Sequence, residues 1–222
     1  MYVHRADQCL SCPHPIITSD SDRFTELGFY SHSLSLGGIA SQASTTTDDG
    51  AVAFLEARGP RLSSDFGASL GRSSFTFDFG IPAAGSLFVT GTGHLQEQGD
   101  LIGHVGIDVS GSGVGLEYSA RHDGADIDLV ARVRPGDFQI AALAYGNGSS
   151  VESSEASLNF RLTIVPGDFN TDGVLDLSDV DLLTQEMARE TNDPLFDLTG
   201  DGGVSHHDLA TWVEQLYGSL LG

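Results

Sequence analysis

The chain of 222 residues contains no lysine, because all ten of its basic residues are arginine. This absence excludes chemistry that needs a lysine amine, such as a Schiff base or the lysine of a phosphate-binding loop. Long apolar runs are also missing: no stretch reaches the ~18 apolar residues that indicate a membrane-spanning helix. Residues 1–20 lack the apolar core of a signal peptide. The sequence therefore predicts no membrane span.

Cysteine is equally scarce, since Cys9 and Cys12 are the only two in the chain. They form a C-x-x-C pair with His4 and His14 nearby, which is compatible with a zinc site or a redox site. A zinc site normally needs a second ligand pair, and a redox pair normally lies in a βαβ context; the sequence shows neither. The simpler prediction is that residues 1–38 form a partly unstructured N-terminal leader.

Positive charge is rare as well, and the net formal charge is −21 with a pI near 4.3. This charge argues against nucleic acid or an anionic membrane as a partner. The distribution is uneven, because residues 166–222 hold twelve acids and one arginine, whereas residues 1–165 hold nineteen acids and nine arginines. Negative charge is thus concentrated in the last 57 residues of the chain.

Residues 39–165 alternate apolar and polar positions with a period of two, as Phe75, Phe77 and Phe79 illustrate. Turn signals such as Pro135-Gly136 separate short segments of this kind at regular intervals. Half-buried strands with this spacing favour an antiparallel β-sandwich of jelly-roll type. We therefore predict a mainly β fold with its sandwich domain at 39–165.

Two segments of twelve residues, 168–179 and 197–208, repeat one pattern of oxygen side chains at positions 1, 3, 5, 9 and 12, with glycine at position 6. Calcium takes six to eight oxygen ligands, so a short loop must fold around the ion, and this spacing is typical of such loops. A carbonyl oxygen at position 7 adds a backbone ligand. The predicted ligands are Asp168, Asn170, Asp172, Val174, Asp176 and Asp179 in the first loop, and Asp197, Thr199, Asp201, Gly203, Ser205 and Asp208 in the second.

The two loops differ in their predicted affinity for calcium. Thr199 stands at position 3 of the second loop in place of the usual Asn or Asp, and that loop has three carboxylates against four in the first. Because the number of charged ligands is one determinant of affinity, we expect the second site to be weaker. Apolar residues at helical spacing follow each loop, so residues 166–222 are predicted to form a small all-α domain around Trp212.

No amphipathic helix precedes either loop, and this duplicated loop–helix arrangement resembles the type I dockerin module. The resemblance implies a secreted or cell-surface protein that binds two calcium ions. Because a secreted protein needs a signal peptide and residues 1–20 do not resemble one, we expect that the given start of the chain is misplaced. The resemblance also implies docking to a cohesin-like or other cell-surface protein. Dockerins recognise cohesins through loop positions 10 and 11, which here are Leu177-Ser178 and His206-His207, a departure from the usual hydroxylated pair.

Three functions are compatible with the sequence. The favoured prediction is a secreted, non-catalytic calcium-binding protein whose dockerin-like module mediates attachment or assembly. The alternatives are a carbohydrate-binding protein and a glycoside hydrolase of a polysaccharide-degrading system. Both are weakened because the sandwich contains no tryptophan, and no catalytic residue is predicted. A hydrolase would need two of the sandwich carboxylates to approach each other; the candidates are Asp78, Glu97, Asp108, Glu117, Asp126 and Asp128.

Overall fold

The computed structural model describes residues 2–9, 17–23, 29–35, 39–47, 50–59, 68–98, 103–121, 124–149 and 153–221. These residues form strands followed by two helices. The strands are β1 (Tyr2–Cys9), β2 (Ile17–Arg23), β3 (Phe29–Ser35), β4 (Ile39–Thr47), β5 (Gly50–Gly59), β6 (Ala68–Ile81), β7 (Gly85–Gln98), β8 (His104–Gly111), β9 (Val114–Ala120), β10 (Ala125–Val133), β11 (Gly136–Ser149) and β12 (Ser153–Pro166), and the helices are α1 (Leu177–Arg189) and α2 (His206–Leu221).

Strands β5 to β12 form two antiparallel four-stranded layers, in the orders β5-β12-β7-β10 and β6-β11-β8-β9. Consecutive strands alternate between the layers except at the β8–β9 hairpin, which is the strand order of a jelly roll. A single residue pair, Gly148 with Ser153, links the layers at the β11–β12 hairpin. The predicted antiparallel sandwich followed by two helices is therefore confirmed.

The first 38 residues contribute strands to this sandwich, where we expected a partly unstructured leader. Strands β1 and β2 extend the second layer beyond β6, whereas β3 and β4 extend the first layer beyond β5. These segments are rich in serine and aspartate, so their apolar alternation is weak, and backbone pairing to a neighbouring strand places them. Cys9 ends β1, but Cys12 and His14 lie outside the described residues.

The core between the layers is built from the inward-facing positions of the strands. Phe75 on β6 meets Phe160 on β12 edge to face, with ring centroids 6.1 Å apart. Phe77 and Phe79 continue the same row and are only partly buried. Each layer supplies one row of apolar side chains per strand, and burial of these rows is the main stabilising term of the sandwich. The largest fully buried members are Phe75, Leu55, Leu87, Ile107, Ile127, Ile140, Leu158, Phe160 and Leu162.

A second apolar cluster joins the two helices to the sandwich. The β6–β7 corner contributes Ala83 and Ala84, which pack among side chains of the helical region. Trp212 of α2 is buried there, and its Nε1 donates a hydrogen bond to the Gly167 carbonyl oxygen at 3.0 Å. The other buried members are Phe169, Leu183, Phe196 and Leu198. The helical region therefore has its core in common with one end of the sandwich.

The described helices are too short or too polar to cross a membrane.

Close contact between β7 and β12 makes Gly91 a sensitive position. A Cβ atom at Gly91 would lie 2.7 Å from Cα of Phe160 and closer still to the carbonyl oxygen of Asn159. Both neighbours are backbone atoms of the central strand β12, so they cannot move aside without disturbing the layer. We expect Gly91→Ala to lower the free energy of unfolding by about 1–3 kcal/mol, measured by thermal and denaturant unfolding followed by circular dichroism.

Gly115 on β9 provides a matched control, because a Cβ atom there meets nothing within 4 Å. Gly115→Ala should leave the unfolding midpoint nearly unchanged. Equal effects of the two substitutions would contradict the packing described between β7 and β12.

Candidate functional site

The first repeated loop is organised by two buried carboxylates, Asp168 at position 1 and Asp179 at position 12. Asp168 accepts hydrogen bonds from the backbone amides of Thr171 at 2.8 Å and Gly173 at 2.9 Å. Asp179 accepts from the amides of Phe169 at 2.8 Å, of position 3 at 3.2 Å, and of position 9 at 3.0 Å. The loop is therefore wrapped around its own first and last acids.

The second loop repeats this arrangement position by position. Asp197 accepts from the amides of Gly200 at 2.7 Å and Gly202 at 2.9 Å. Asp208 accepts from the amides of Leu198 at 2.9 Å, of position 3 at 3.0 Å, and of position 9 at 2.7 Å. The sequence repeat is thus a repeat of hydrogen-bonded structure, with the position 1 and position 12 carboxylates buried in both copies.

Positive φ angles at positions 4 and 6 bend each loop around its acids. Gly173 and Gly202 at position 6 have φ of 79° and 90°. Position 4 is Gly200 in the second loop but Thr171 in the first, with φ of 71° and 64°. A β-branched residue in this region is a backbone outlier. The bend at Thr171 is accompanied by two hydrogen bonds, from its amide to Asp168 and from its hydroxyl to the Asn170 carbonyl oxygen.

The remaining predicted ligands lie at the surface of the loops. Asn170 and Asp172 bond each other through the amide group and carboxylate at 2.7 Å, and Asp172 accepts from the amide of Val174 at 2.8 Å. Asp176 accepts from the Ser178 amide and caps α1 in a capping box with Asp179. In the second loop, Asp201 accepts from the amide of position 7, Thr199 donates to the position 1 carboxylate, and Ser205 accepts from the amide of position 11.

These acids do not converge on a common point. Within the described part of the chain, no group of three or more His, Cys, Asp or Glu side chains is gathered closely enough to hold a metal ion. The oxygens are instead directed at the amides of their own loop. The ligand set predicted from the sequence also includes an amide oxygen, hydroxyl oxygens and backbone carbonyl oxygens, which Asn170, Thr199, Ser205, Val174 and Gly203 would contribute.

The surroundings of Asp168 in the first loop are unfavourable for its ionised form. Burial raises the pKa of Asp168, the amides of Gly173 and Thr171 oppose that rise, and the negative charges of Asp179 and Asp172 add to it. Buried charge is costly unless it is paired. Carboxylates with amide, hydroxyl and carbonyl oxygens nearby are the chemical type of ligand that a hard divalent cation such as calcium takes, and such a cation would relieve this repulsion if the side chains turned toward it.

The sandwich holds both loops at position 1, through their main chain. The buried hydroxyl of Ser86 donates to the carbonyl oxygen of Asp168 at 2.7 Å. Two residues earlier, the amide of Ala84 donates to the carbonyl oxygen of Asp197 at 3.3 Å. The Ala84 carbonyl oxygen also accepts from the amide of Gly167 at 2.9 Å. One corner of the sandwich thus fixes the first residue of each loop.

Arg132 of β10 forms a second connection between sandwich and loops. Its guanidinium lies 4.3 Å from the ring centroid of Phe196 and donates to the Leu195 carbonyl oxygen at 3.4 Å. Burial lowers the pKa of Arg132, and the nearby charges of Asp193, Glu186 and Asp168 partly oppose this. Sequence reasoning missed this residue, because an arginine in a strand gives no signal of the distant segment on which it packs.

Glu186 ties the end of α1 to the segment between the repeats. Its carboxylate is buried and accepts from the hydroxyl of Thr191 and from the amide of Asp193 at 3.1 Å. These hydrogen bonds, led by that of Thr191, lower the pKa of Glu186. Asn192 of the same segment accepts from the amide of Val204 in the second loop at 3.1 Å. The linker therefore positions one repeat against the other.

Loop positions 10 and 11 face solvent. The side chain of Leu177 is 74% exposed, and Ser178, His206 and His207 are exposed as well. The hydrogen bonds to the sandwich are made at position 1 of each loop, and positions 10 and 11 remain accessible.

A second candidate site lies on the outer face of the layer β6-β11-β8-β9. Two hollows of about 320 Å³ and about 480 Å³ lie along this face. Of the candidate sandwich carboxylates, strand register places Asp108 directly opposite Glu117 here. Asp78 lies farther along the face, Asp126 and Asp128 belong to the other layer, and Glu97 is in β7 with its side chain outside the described part of the structure.

No family model and no curated protein matches the chain. Solved structures that resemble it include that of TmCBM61 in complex with β-1,4-galactotriose. That match has 12% sequence identity and a TM-score of 0.32, and covers 62% of this chain and 88% of the other. A score this low carries no argument about what this chain binds.

The lowered pKa of Glu186 gives a testable pH dependence. Because the folded-state pKa lies below the unfolded value, the stabilisation is present above the ordinary glutamate range and is lost as pH falls through the folded pKa. We expect Glu186→Gln to cost about 1 kcal/mol at neutral pH, since an amide accepts weaker hydrogen bonds than a carboxylate. Denaturant unfolding across pH should show the difference between variant and wild type shrinking in acid.

Glu214 on the exposed side of α2 is the matched control for Glu186. Glu214→Gln should change stability little at any pH. A Glu186→Gln effect that stays constant from neutral to acidic pH would contradict the assigned role of the carboxylate.

Proposed function

We propose that this chain is a secreted, non-catalytic protein that binds two calcium ions in the loops 168–179 and 197–208. The observation that carries the proposal is the buried pair of acids in each loop, Asp168 with Asp179 and Asp197 with Asp208. Calcium binding requires the side chains of both loops to turn from their own amides toward the ion. Residues of the loops themselves then supply the complete set of oxygen ligands expected of such a site.

The role that we propose for the ions is to fasten the helical region to the sandwich. Each position 1 aspartate would bind the ion through its side chain, while its carbonyl oxygen is held by Ser86 or Ala84. Ordering the loop therefore also orders the contact with the sandwich. Phe169 and Phe196 strengthen this coupling, because their rings pack at a centroid distance of 4.8 Å in the shared apolar cluster.

Attachment to a partner, as in dockerins, is part of this proposal. Its support is the exposure of Leu177 and Ser178 in one repeat and of His206 and His207 in the other. A cohesin-like or other cell-surface protein is the class of partner that the resemblance implies.

Calcium should stabilise the full-length protein and bind at two unequal sites. At a free calcium concentration one hundred times the dissociation constant, one site adds about 2.7 kcal/mol to the free energy of unfolding. Isothermal titration calorimetry should resolve a tighter and a weaker event. Asp172→Asn and Asp201→Asn change the same exposed position of each loop, and we expect them to remove the tighter and the weaker event, respectively.

The absence of any heat signal or shift of the melting temperature between calcium and EDTA would refute the calcium proposal. Loss of the tighter event on substitution of Asp201 would reverse the assignment of the two sites.

Coupling between loops and sandwich predicts one cooperative unfolding transition in calcium. Trp212 is the single tryptophan and reports on the helical region, whereas the β-sheet circular dichroism signal reports on the sandwich. The two signals should change at the same temperature in calcium and at different temperatures in EDTA, with Trp212 changing first.

The Ser86→Ala substitution removes the hydroxyl that holds Asp168 and should lower the free energy of unfolding in calcium by about 1 kcal/mol.

Ser119→Ala, at an exposed position of β9, controls for the loss of a hydroxyl group elsewhere on the sandwich. Two separate melting transitions of the wild-type protein in saturating calcium would contradict the coupling.

A second candidate function is carbohydrate binding by the sandwich. The observation that favours it is the pair of hollows along the outer face of β6-β11-β8-β9, which polar and apolar side chains line together. Retardation of the protein in gels that contain soluble polysaccharides would test this function.

A further inference from the structure

We propose that the outer face of β6-β11-β8-β9 is a binding groove for a neutral glycan chain that lies along the strands. The inference rests on the second candidate function, carbohydrate binding, and adds the site and the class of glycan. It is independent of the calcium loops, which lie at one end of the sandwich.

Strand register gives the groove its shape. Tyr145 of β11 stands directly between Arg72 of β6 and His104 of β8, so three large side chains form one row across the face. Six residues farther along β6, Asp78 pairs with Gln139 of β11, which donates to its carboxylate at 2.6 Å. At ~3.3 Å per residue these two rows are about 20 Å apart. This length suits a chain of several sugars better than a single small molecule.

Between these rows the floor has Leu143 of β11 at its centre, the acids Asp108 and Glu117 on β8 and β9, and otherwise small residues. Glycine occurs on the outer face at Gly106 of β8 and Gly115 of β9, and a Cβ atom at Gly115 would meet nothing within 4 Å. A Cβ atom at Gly106 would lie 3.2 Å from Nε2 of His104, so the imidazole lies across this glycine. The absence of side chains here makes room for a ligand. The other small residues between the rows are Ser74, Thr76, Ser119 and Ala141.

The charges of the groove select the class of ligand. Asp108 and Glu117 are direct cross-strand neighbours, and like charges in that position destabilise a sheet. Carboxylates there are good acceptors for the hydroxyl groups of a sugar. With Asp78 and Asp137 also on this face, acids outnumber Arg72, so an anionic polysaccharide would be repelled. The half-buried ring of Tyr145 offers an apolar surface with a polar tip to the sugar.

Affinity gel electrophoresis of the full chain tests the site. The probes are three soluble neutral polysaccharides (β-1,4-galactan, xylan and mixed-linkage β-glucan) and two anionic ones (polygalacturonate and alginate), each with calcium and with EDTA. We expect retardation by at least one neutral polysaccharide and by neither anionic one. Tyr145→Ala and Asp108→Asn should each weaken that binding at least about tenfold.

Matched controls change the same residue types elsewhere. Tyr217→Ala alters an exposed tyrosine on α2, and Asp128→Asn alters an exposed acid on the outer face of the other layer; neither should change the binding. Circular dichroism of every variant excludes loss of fold as the cause.

The possible outcomes distinguish a wrong location of the binding site from a wrong assignment of carbohydrate binding to the sandwich. Binding that survives Tyr145→Ala and Asp108→Asn would overturn the groove but leave carbohydrate binding by the sandwich standing. Binding only of the anionic polysaccharides would overturn the proposed class of glycan. No retardation by any polysaccharide would overturn both the groove and the second candidate function, whereas calcium binding would be unaffected.

Discussion

The structure depends on how four buried carboxylates are held at one end of a β-sandwich. Backbone amides surround Asp168, Asp179, Asp197 and Asp208, so the path of each loop is set by the need to satisfy these acids. Hydrogen bonds from amides lower the cost of burying a carboxylate, but burial still raises the pKa of Asp168, and the neighbouring negative charges of Asp179 and Asp172 add to that rise. The backbone of such a loop is already folded around the acids, but the loop has too little positive charge to neutralise them. That deficit is the physical reason for expecting a cation.

Hydrogen bonds and apolar contacts connect the two loops to the sandwich. Ser86 and Ala84 hold the carbonyl oxygens of the two position 1 aspartates, and Ala83 and Ala84 complete the apolar cluster around Trp212. A separate helical region of 57 residues would bury little apolar surface by itself. Here it obtains the missing contacts from the β6–β7 corner, so its stability is linked to the sandwich. An independent module on a flexible tether would not show these contacts, which distinguishes this arrangement from a freely jointed attachment domain.

Much of the fold could be predicted because its signals are local. The alternation of Val105, Ile107 and Val109 marks a strand whose inward residues are all buried, and the repeat of glycine at position 6 marks the two bends. What the sequence did not reveal depends on partners far away in the chain. Strand β1 is placed by pairing with β6, about seventy residues later, and the half-buried Arg132 contacts residues more than sixty positions away. Neither Arg132 nor Ala84 carries a local pattern that identifies its partner.

The two outer faces of the sandwich differ in composition, and the first loop lies against one of them. A Cβ atom at Gly173 of the first loop would lie 3.6 Å from the ring of Phe88, which is on the outer face of β5-β12-β7-β10, next to Val130. Apolar side chains on that face are thus partly covered by the loop. The face of β6-β11-β8-β9 instead carries polar and small side chains around Leu143, and its acids Asp108 and Glu117 lie directly opposite each other. Packing explains the composition of the first face, whereas the cost of opposing like charges on the second would be offset by the proposed ligand, whose hydroxyl groups would donate hydrogen bonds to both acids.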